Sequence, residues 1–328
     1  MWTDVPVTVD RGDYPDAVTP WEDEGWRAEA LGWAERELAA LGLRVSGGPT
    51  VRLRPWSVLA RLRVEGLESG SVWFKSAPPD SRFEAGLAEA LAGWVPEYVL
   101  RPLAVRPDRG WTLLPEGGPL FREALDHGTA DARDWEEMLR QYAAMQRTLV
   151  PHADAMEALA VPSARDLPGL FDRLTTDAEL QSLRPKLVDW CAELAAYGIP
   201  ASLDHSDLHD GQVFMRASPK RFVFFDWGDA SVAHPFSSLL VTGRIAARRF
   251  GADVLPRLRD AYLEPWTDLG LTTSELRRAV ALATRLGALG RAAAWGRFVS
   301  GGRDGQDGSA EGAARWLREL FTEEPLYT

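Results

Sequence analysis

The sequence predicts an α+β chain of two lobes, a β-rich first third followed by a mostly helical remainder. Three observations carry this. Strand-type patterns concentrate in the chain before residue 115. Helical spacing dominates after it. Between them, Pro115-Glu116-Gly117-Gly118-Pro119 breaks both patterns. The expected lobes are therefore residues 1–115 and 116–328. The full length of 328 residues suits about two domains of ~150 residues each.

The elements follow in order. Trp26, Ala30, Trp33, Leu38 and Leu41 fall near helical spacing, with Pro20 suited to the first turn and Gly42 to the stop. Val58, Ala60, Leu62 and Val64 alternate with Leu59, Arg61 and Arg63, which predicts a strand. A turn over 65–70 leads to a second strand, Ser71–Lys75, with Val72 and Phe74 on one face and Trp73 and Lys75 on the other. Phe83, Leu87 and Leu91 predict a helix, and Ser81 and Glu84 have the spacing of a capping box. Strands over Tyr98–Val105 and Trp111–Leu114, joined by the turn Pro107–Gly110, complete an antiparallel sheet of five strands. Beyond the break, Trp135, Met138, Tyr142, Met145 and Leu149 step by three and four, the signature of a buried helix face. Further helices are expected near 177–198, 272–299 and 310–321, with one β-like insertion over 212–226.

Composition excludes several classes. Lysine and arginine number 37 against 48 aspartates and glutamates, a net charge of −11. Such a chain is a poor partner for nucleic acid or an anionic membrane. No apolar run reaches the ~18 residues of a membrane span, and the first residues carry no basic flank or apolar run of a secretory signal. The single cysteine, Cys191, forms no intrachain disulfide, which fits a reducing cytoplasm.

Reactive side chains concentrate in Asp204-His205-Ser206-Asp207-Leu208-His209-Asp210-Gly211-Gln212. Downstream, the apolar run Phe222–Phe225 ends in Asp226-Trp227-Gly228-Asp229, a carboxylate presented at a strand end beside a glycine. His205-x-Asp207 with an amide at Gln212, then Asp226-x-Gly228, resembles the H-x-D-x-x-x-x-N and D-x-G pair of phosphoryl-transfer enzymes. With Leu208, His209 and Gly211 also matching, the chain resembles the aminoglycoside phosphotransferase and choline kinase-like small-molecule kinases, which share the bilobal protein-kinase fold. Two features depart from that pattern. The amide is glutamine instead of asparagine, and Pro55-Trp56-Ser57-Val58 stands where a glycine-rich phosphate loop would lie.

The resemblance implies an ATP-dependent phosphotransferase, using magnesium, that acts on a hydroxyl of a small molecule: an aminoglycoside, amino sugar, sugar or amino alcohol, cationic acceptors among them. Phosphoryl transfer asks the protein mainly for positioning and charge neutralisation. Asp207 is then expected to take the hydroxyl proton, and Gln212 and Asp226 to hold the metal. Lys75 would contact the nucleotide phosphates, and the connector at Leu114–Glu116 would offer backbone to adenine. Glu84 either closes the capping box with Ser81 or partners Lys75, with Glu89 as its rival. His209, Asp210, Asp229 and Trp295 are candidates for the acceptor side, each with a plainer reading as loop cap, turn or core. Asp304, Asp307 and Glu311 read as a solvated acidic segment. Two other functions compete: a non-catalytic nucleotide-binding relative, and a metal-dependent hydrolase built on His205, Asp207 and His209.

Overall fold

The structure, a computed structural model, describes residues 8–12, 19–217, 219–297, 308–323 and 326–327. Asp304 and Asp307 lie outside the described residues. The chain divides into two units, one running up to Gly117 and the other taking in Gly118–Trp295 and the chain from Gly312 onward, with the stretch between Gly296 and Glu311 assigned to the first.

The first unit opens with helix α1, Glu24–Ala40, capped by Asp23, whose carboxylate accepts the Trp26 amide at 2.7 Å. Pro20 belongs to a separate short 3₁₀ turn, Pro20–Glu22, and not to the first turn of α1. The cap at Asp23 decides this, because it sets where the helical hydrogen bonds begin. The strands are β1 (Arg44–Val45), β2 (Thr50–Arg54), β3 (Ser57–Glu65) and β4 (Ser71–Ser76). Helix α2 (Phe83–Trp94) intervenes before β5 (Ala104–Arg106) and β6 (Trp111–Pro115). The sheet is antiparallel in the order β1-β3-β4-β6-β5, with β2 also on β3. Strands β1 and β2 share the outer edge of β3, at Val45↔Val64 and Thr50↔Arg61. The expected five positions are thus filled by six pieces.

The expected strand over Tyr98–Val105 shrinks to its last residues. Pro96 and Pro102 flank its first part, and a residue without an amide hydrogen cannot donate to a ladder. The alternation in β3 and β4 holds. Val58, Ala60, Leu62, Val64, Val72 and Phe74 are buried, and α1 packs its tryptophans on that face. The Trp33 and Trp111 ring centroids are 5.7 Å apart, and Phe74 and Trp111 are 6.1 Å apart.

The second unit begins with α3 (Phe121–Asp126) and α4 (Ala132–Leu149). On α4, Trp135, Met138, Tyr142, Met145 and Leu149 are all completely buried, the face that the spacing predicts. Helices α5 (Ala153–Ala158), α6 (Leu167–Leu174), α7 (Ala178–Ser182) and α8 (Arg184–Ala196) follow. The single helix expected over 177–198 is two, because Pro185 in the first turn of α8 starts a helix in place of continuing one. Four short strands come next: β7 (Ser202–Asp204), β8 (Val213–Ala217), β9 (Lys220–Phe224) and β10 (Ser231–Ala233). Helices α9 (Leu239–Phe250), α10 (Leu255–Leu263), α11 (Thr273–Arg297) and α12 (Gly308–Thr322) complete the chain. Among the described residues no helix is long and apolar enough to cross a membrane.

Candidate active site

In the first unit the candidate nucleotide residues lie on β4 and α2. Lys75 sits between Leu59 of β3 and Thr112 of β6 in the ladder, and its ammonium pairs with the Glu84 carboxylate. Both side chains are buried, whereas Glu89 is exposed. Glu84 does not serve a capping box: α2 has Arg82 at its cap with no side-chain bond, and the buried Ser81 hydroxyl has no partner. Leu114 pairs with Trp73 on β4. The Glu116 side chain turns onto the sheet, accepting from Ser71 Oγ at 2.6 Å and Arg61 Nε at 2.8 Å. Burial raises its carboxyl, but the bonds from Ser71, Trp73 and Arg61 outweigh that and hold it below the usual range.

In the second unit two strand pairs bring the two candidate loop motifs side by side. β7 pairs antiparallel with β10 at Asp204↔Ser231, and β8 pairs with β9 at Val213↔Phe224. The loop 205–212 therefore leaves β7 and enters β8, while the loop 225–230 leaves β9 and enters β10. Two bonds tie the loops together. The His205 Nε2–H donates to the Phe225 carbonyl at 2.9 Å, and the Phe225 amide donates to the Gln212 carbonyl at 3.2 Å. A carbonyl only accepts, so Nε2 carries the His205 proton. The ring is wholly buried beside Trp227, with centroids 4.8 Å apart, and burial lowers its pKa, so it is a neutral structural pin. Ser206 and Asp226 both adopt left-handed backbone, at φ of 61° and 70°. Non-glycine residues rarely sit there, and such turns concentrate where a side chain must be aimed.

The Asp207 carboxylate is held at both oxygens. Oδ2 accepts from Gln212 Nε2 at 3.0 Å, and Oδ1 lies 3.2 Å from Arg291 Nη2. Burial raises the Asp207 pKa, Arg291 opposes the rise and the Asp229 charge adds to it. Asp229 is itself bound by Arg291, Nη1 donating to Oδ2 at 2.7 Å. Arg291 stands 84 positions from Asp207, in α11, where no local motif points to it.

Two candidates take on other work. Asp210 was expected on the acceptor side, but its buried carboxylate lies between Arg122 of α3, at 2.8 Å, and Arg249 of α9, at 3.0 Å. Burial raises this carboxyl, but the His209 ring, Arg122 and Arg249 outweigh that and hold it at about 2. The neighbouring Gly211 is fixed by the same packing, since a Cβ there would lie 2.7 Å from the Arg122 guanidinium. Trp295 packs against α12, where a Cβ on Gly312 would stand 2.9 Å from its ring, so it fills the helix interface. His209 lies near Asp207. Its Nδ1 accepts the Gly211 amide at 3.0 Å, and its Nε2 lies 3.8 Å from Asp207 Oδ2.

Gln212 fits a metal-ligating role. Its amide nitrogen is committed to Asp207, while its Oε1 is buried without a hydrogen-bond partner. A buried acceptor with no donor is costly, and a hard cation satisfies it. Among the described residues no three His, Cys, Asp or Glu side chains converge as a metal-holding group. A catalytic zinc site needs three such ligands. Magnesium needs fewer from the protein, because it keeps waters and takes phosphate oxygens.

No protein-family model and no curated protein matches the sequence. Solved structures do. A Plasmodium vivax ethanolamine kinase superposes with a TM-score of 0.55 at 13% identity, covering 93% of this chain and 95% of its own. A macrolide 2′-phosphotransferase from Brachybacterium faecium gives 0.55 at 17% identity, covering 90% and 99%. The GDP complex of an aminoglycoside 2′-phosphotransferase gives 0.52 at 14% identity, covering 89% and 98%. The chain thus has the α+β fold of the aminoglycoside and macrolide phosphotransferases and the choline and ethanolamine kinases.

Proposed function

We propose that the protein is an ATP-dependent phosphotransferase that moves the γ-phosphoryl group to a hydroxyl of a small molecule. The observation that carries this reading is the Asp207–Gln212 pair: a carboxylate oriented by an amide whose own oxygen is left for a cation. Asp207 orients the acceptor hydroxyl and takes its proton as the phosphoryl group departs. Lys75, steadied by Glu84, binds nucleotide phosphate oxygens. Gln212 and Asp226 hold magnesium, which supplies charge neutralisation on the phosphates. His205 keeps the two loops in register.

The acceptor is of the kind handled by proteins of this fold: an aminoglycoside, a macrolide, or an amino alcohol such as ethanolamine or choline. The test is release of ADP from magnesium ATP by the purified protein, with kanamycin, erythromycin, ethanolamine or choline added in turn and GTP run in parallel. Turnover that depends on one acceptor supports the reading. Nucleotide binding without turnover on any acceptor would favour a non-catalytic relative.

A further inference from the structure

Arg291 is the second feature of the Asp207 environment, and no motif accounts for it. It is buried on α11, with a side chain 8% exposed. Its guanidinium spans two carboxylates on two different loops, Asp207 at 3.2 Å and Asp229 at 2.7 Å, and its Cζ lies 5.8 Å from the Trp316 ring of α12. The helix is shaped to deliver it. Gly287 packs so closely that a Cβ would stand 3.2 Å from Ser237 Cβ, and a Cβ on Gly290 would stand 3.9 Å from Ser206 Oγ in the catalytic loop.

One buried guanidinium here meets two partly buried carboxylates. Such trios are often less stable than apolar packing of the same volume. Stability alone therefore gives a weak reason for this arrangement. Geometry gives a stronger one. With Oδ1 beside Arg291 and Oδ2 on Gln212, both oxygens of the Asp207 carboxylate have partners, which restricts its rotation and the directions its remaining lone pairs take.

We infer that Arg291 is a positioning residue for phosphoryl transfer: it clasps Asp207 to Asp229, screens the repulsion between them and fixes the direction from which Asp207 meets the acceptor hydroxyl. The inference rests on the phosphotransferase reading above. It assigns to α11 a part in the reaction that the loop motifs do not show.

The test is a double-mutant cycle on ADP release from magnesium ATP, with the acceptor panel and with water alone. Arg291→Met is expected to lower turnover about 10- to 100-fold, the usual loss when a group orienting a reactive residue is removed, while KM for ATP moves less than about threefold. Arg291→Lys restores part of the turnover, because an ammonium keeps the charge but lacks the fork that spans two carboxylates. In an Asp207→Asn background, Arg291→Met costs less than about threefold, because its effect runs through Asp207. Equal losses in both backgrounds would overturn the inference, as would a Lys variant no better than Met. Should Arg291→Met fail to fold, Asp229→Asn replaces it, with the same non-additivity expected and the same additivity contradicting it. A wild type inert toward every acceptor and water would overturn the phosphotransferase reading and this inference together; an active wild type with additive losses would overturn this inference alone.

Discussion

Gln212 Nε2 donates to Asp207 Oδ2 at 3.0 Å while Gln212 Oε1 remains buried without a partner. One side chain thus bonds Asp207 with its nitrogen and leaves its oxygen open to a cation.

Gln212→Ala is expected to raise the magnesium concentration for half-maximal activity about tenfold and to lower turnover, since metal and carboxylate lose their link together. Asp226→Ala is expected to do more, because it removes a full charge. A magnesium titration of both variants checks this; an unchanged Gln212→Ala profile would take the amide out of the metal site.

The Lys75–Glu84 pair separates stability from activity. Glu84→Leu removes the carboxylate that pairs with the buried Lys75 ammonium, a loss that typically costs about 3–5 kcal/mol. Adding Lys75→Met is expected to restore most of that stability, because an apolar pair replaces an ionic one. Activity should stay lost in the double variant, since the nucleotide phosphates then lose the ammonium proposed to bind them. Urea unfolding and nucleotide turnover, measured side by side, check the pair.

Stability should fall in mild acid through His234. Its Nε2 is shielded from water with no hydrogen-bond partner, Nδ1 accepts the Phe236 amide at 3.2 Å, and desolvation lowers its pKa from 6.5 to about 3. Between those values the unfolded chain binds more protons than the folded one. The contribution is therefore complete above about pH 6.5 and is lost as pH falls toward 3, about 2 kcal/mol of it between pH 7 and pH 5. Asp204 acts in the opposite sense, because burial raises its carboxyl. The His234 share is isolated by comparing wild type with His234→Asn, which keeps an acceptor near the Phe236 amide. The variant should lose less stability than wild type over that window; equal losses would remove His234 from the account.

Most of the fold was legible because local pattern and burial agree. The alternation in β3 and the stepped face of α4 were visible as spacing, and each residue named on them is buried. Boundaries were less legible where one residue decided them: Asp23 capping α1, Pro102 shortening β5, Pro185 splitting a helix. Of the site, the loop motifs could be read because their residues are close in sequence. Arg291, Arg122 and Arg249 could not. Each reaches Asp207 or Asp210 from a separate helix, and a buried arginine on a helix looks like any other charge until its partner is known.

The central claim is that Asp207 accepts the acceptor proton, and Asp207→Asn tests it most directly. The substitution keeps shape and removes the proton acceptor. Turnover of magnesium ATP with the active acceptor should fall about 10²- to 10⁴-fold while ATP affinity changes little. Near-normal turnover in Asp207→Asn would contradict the account.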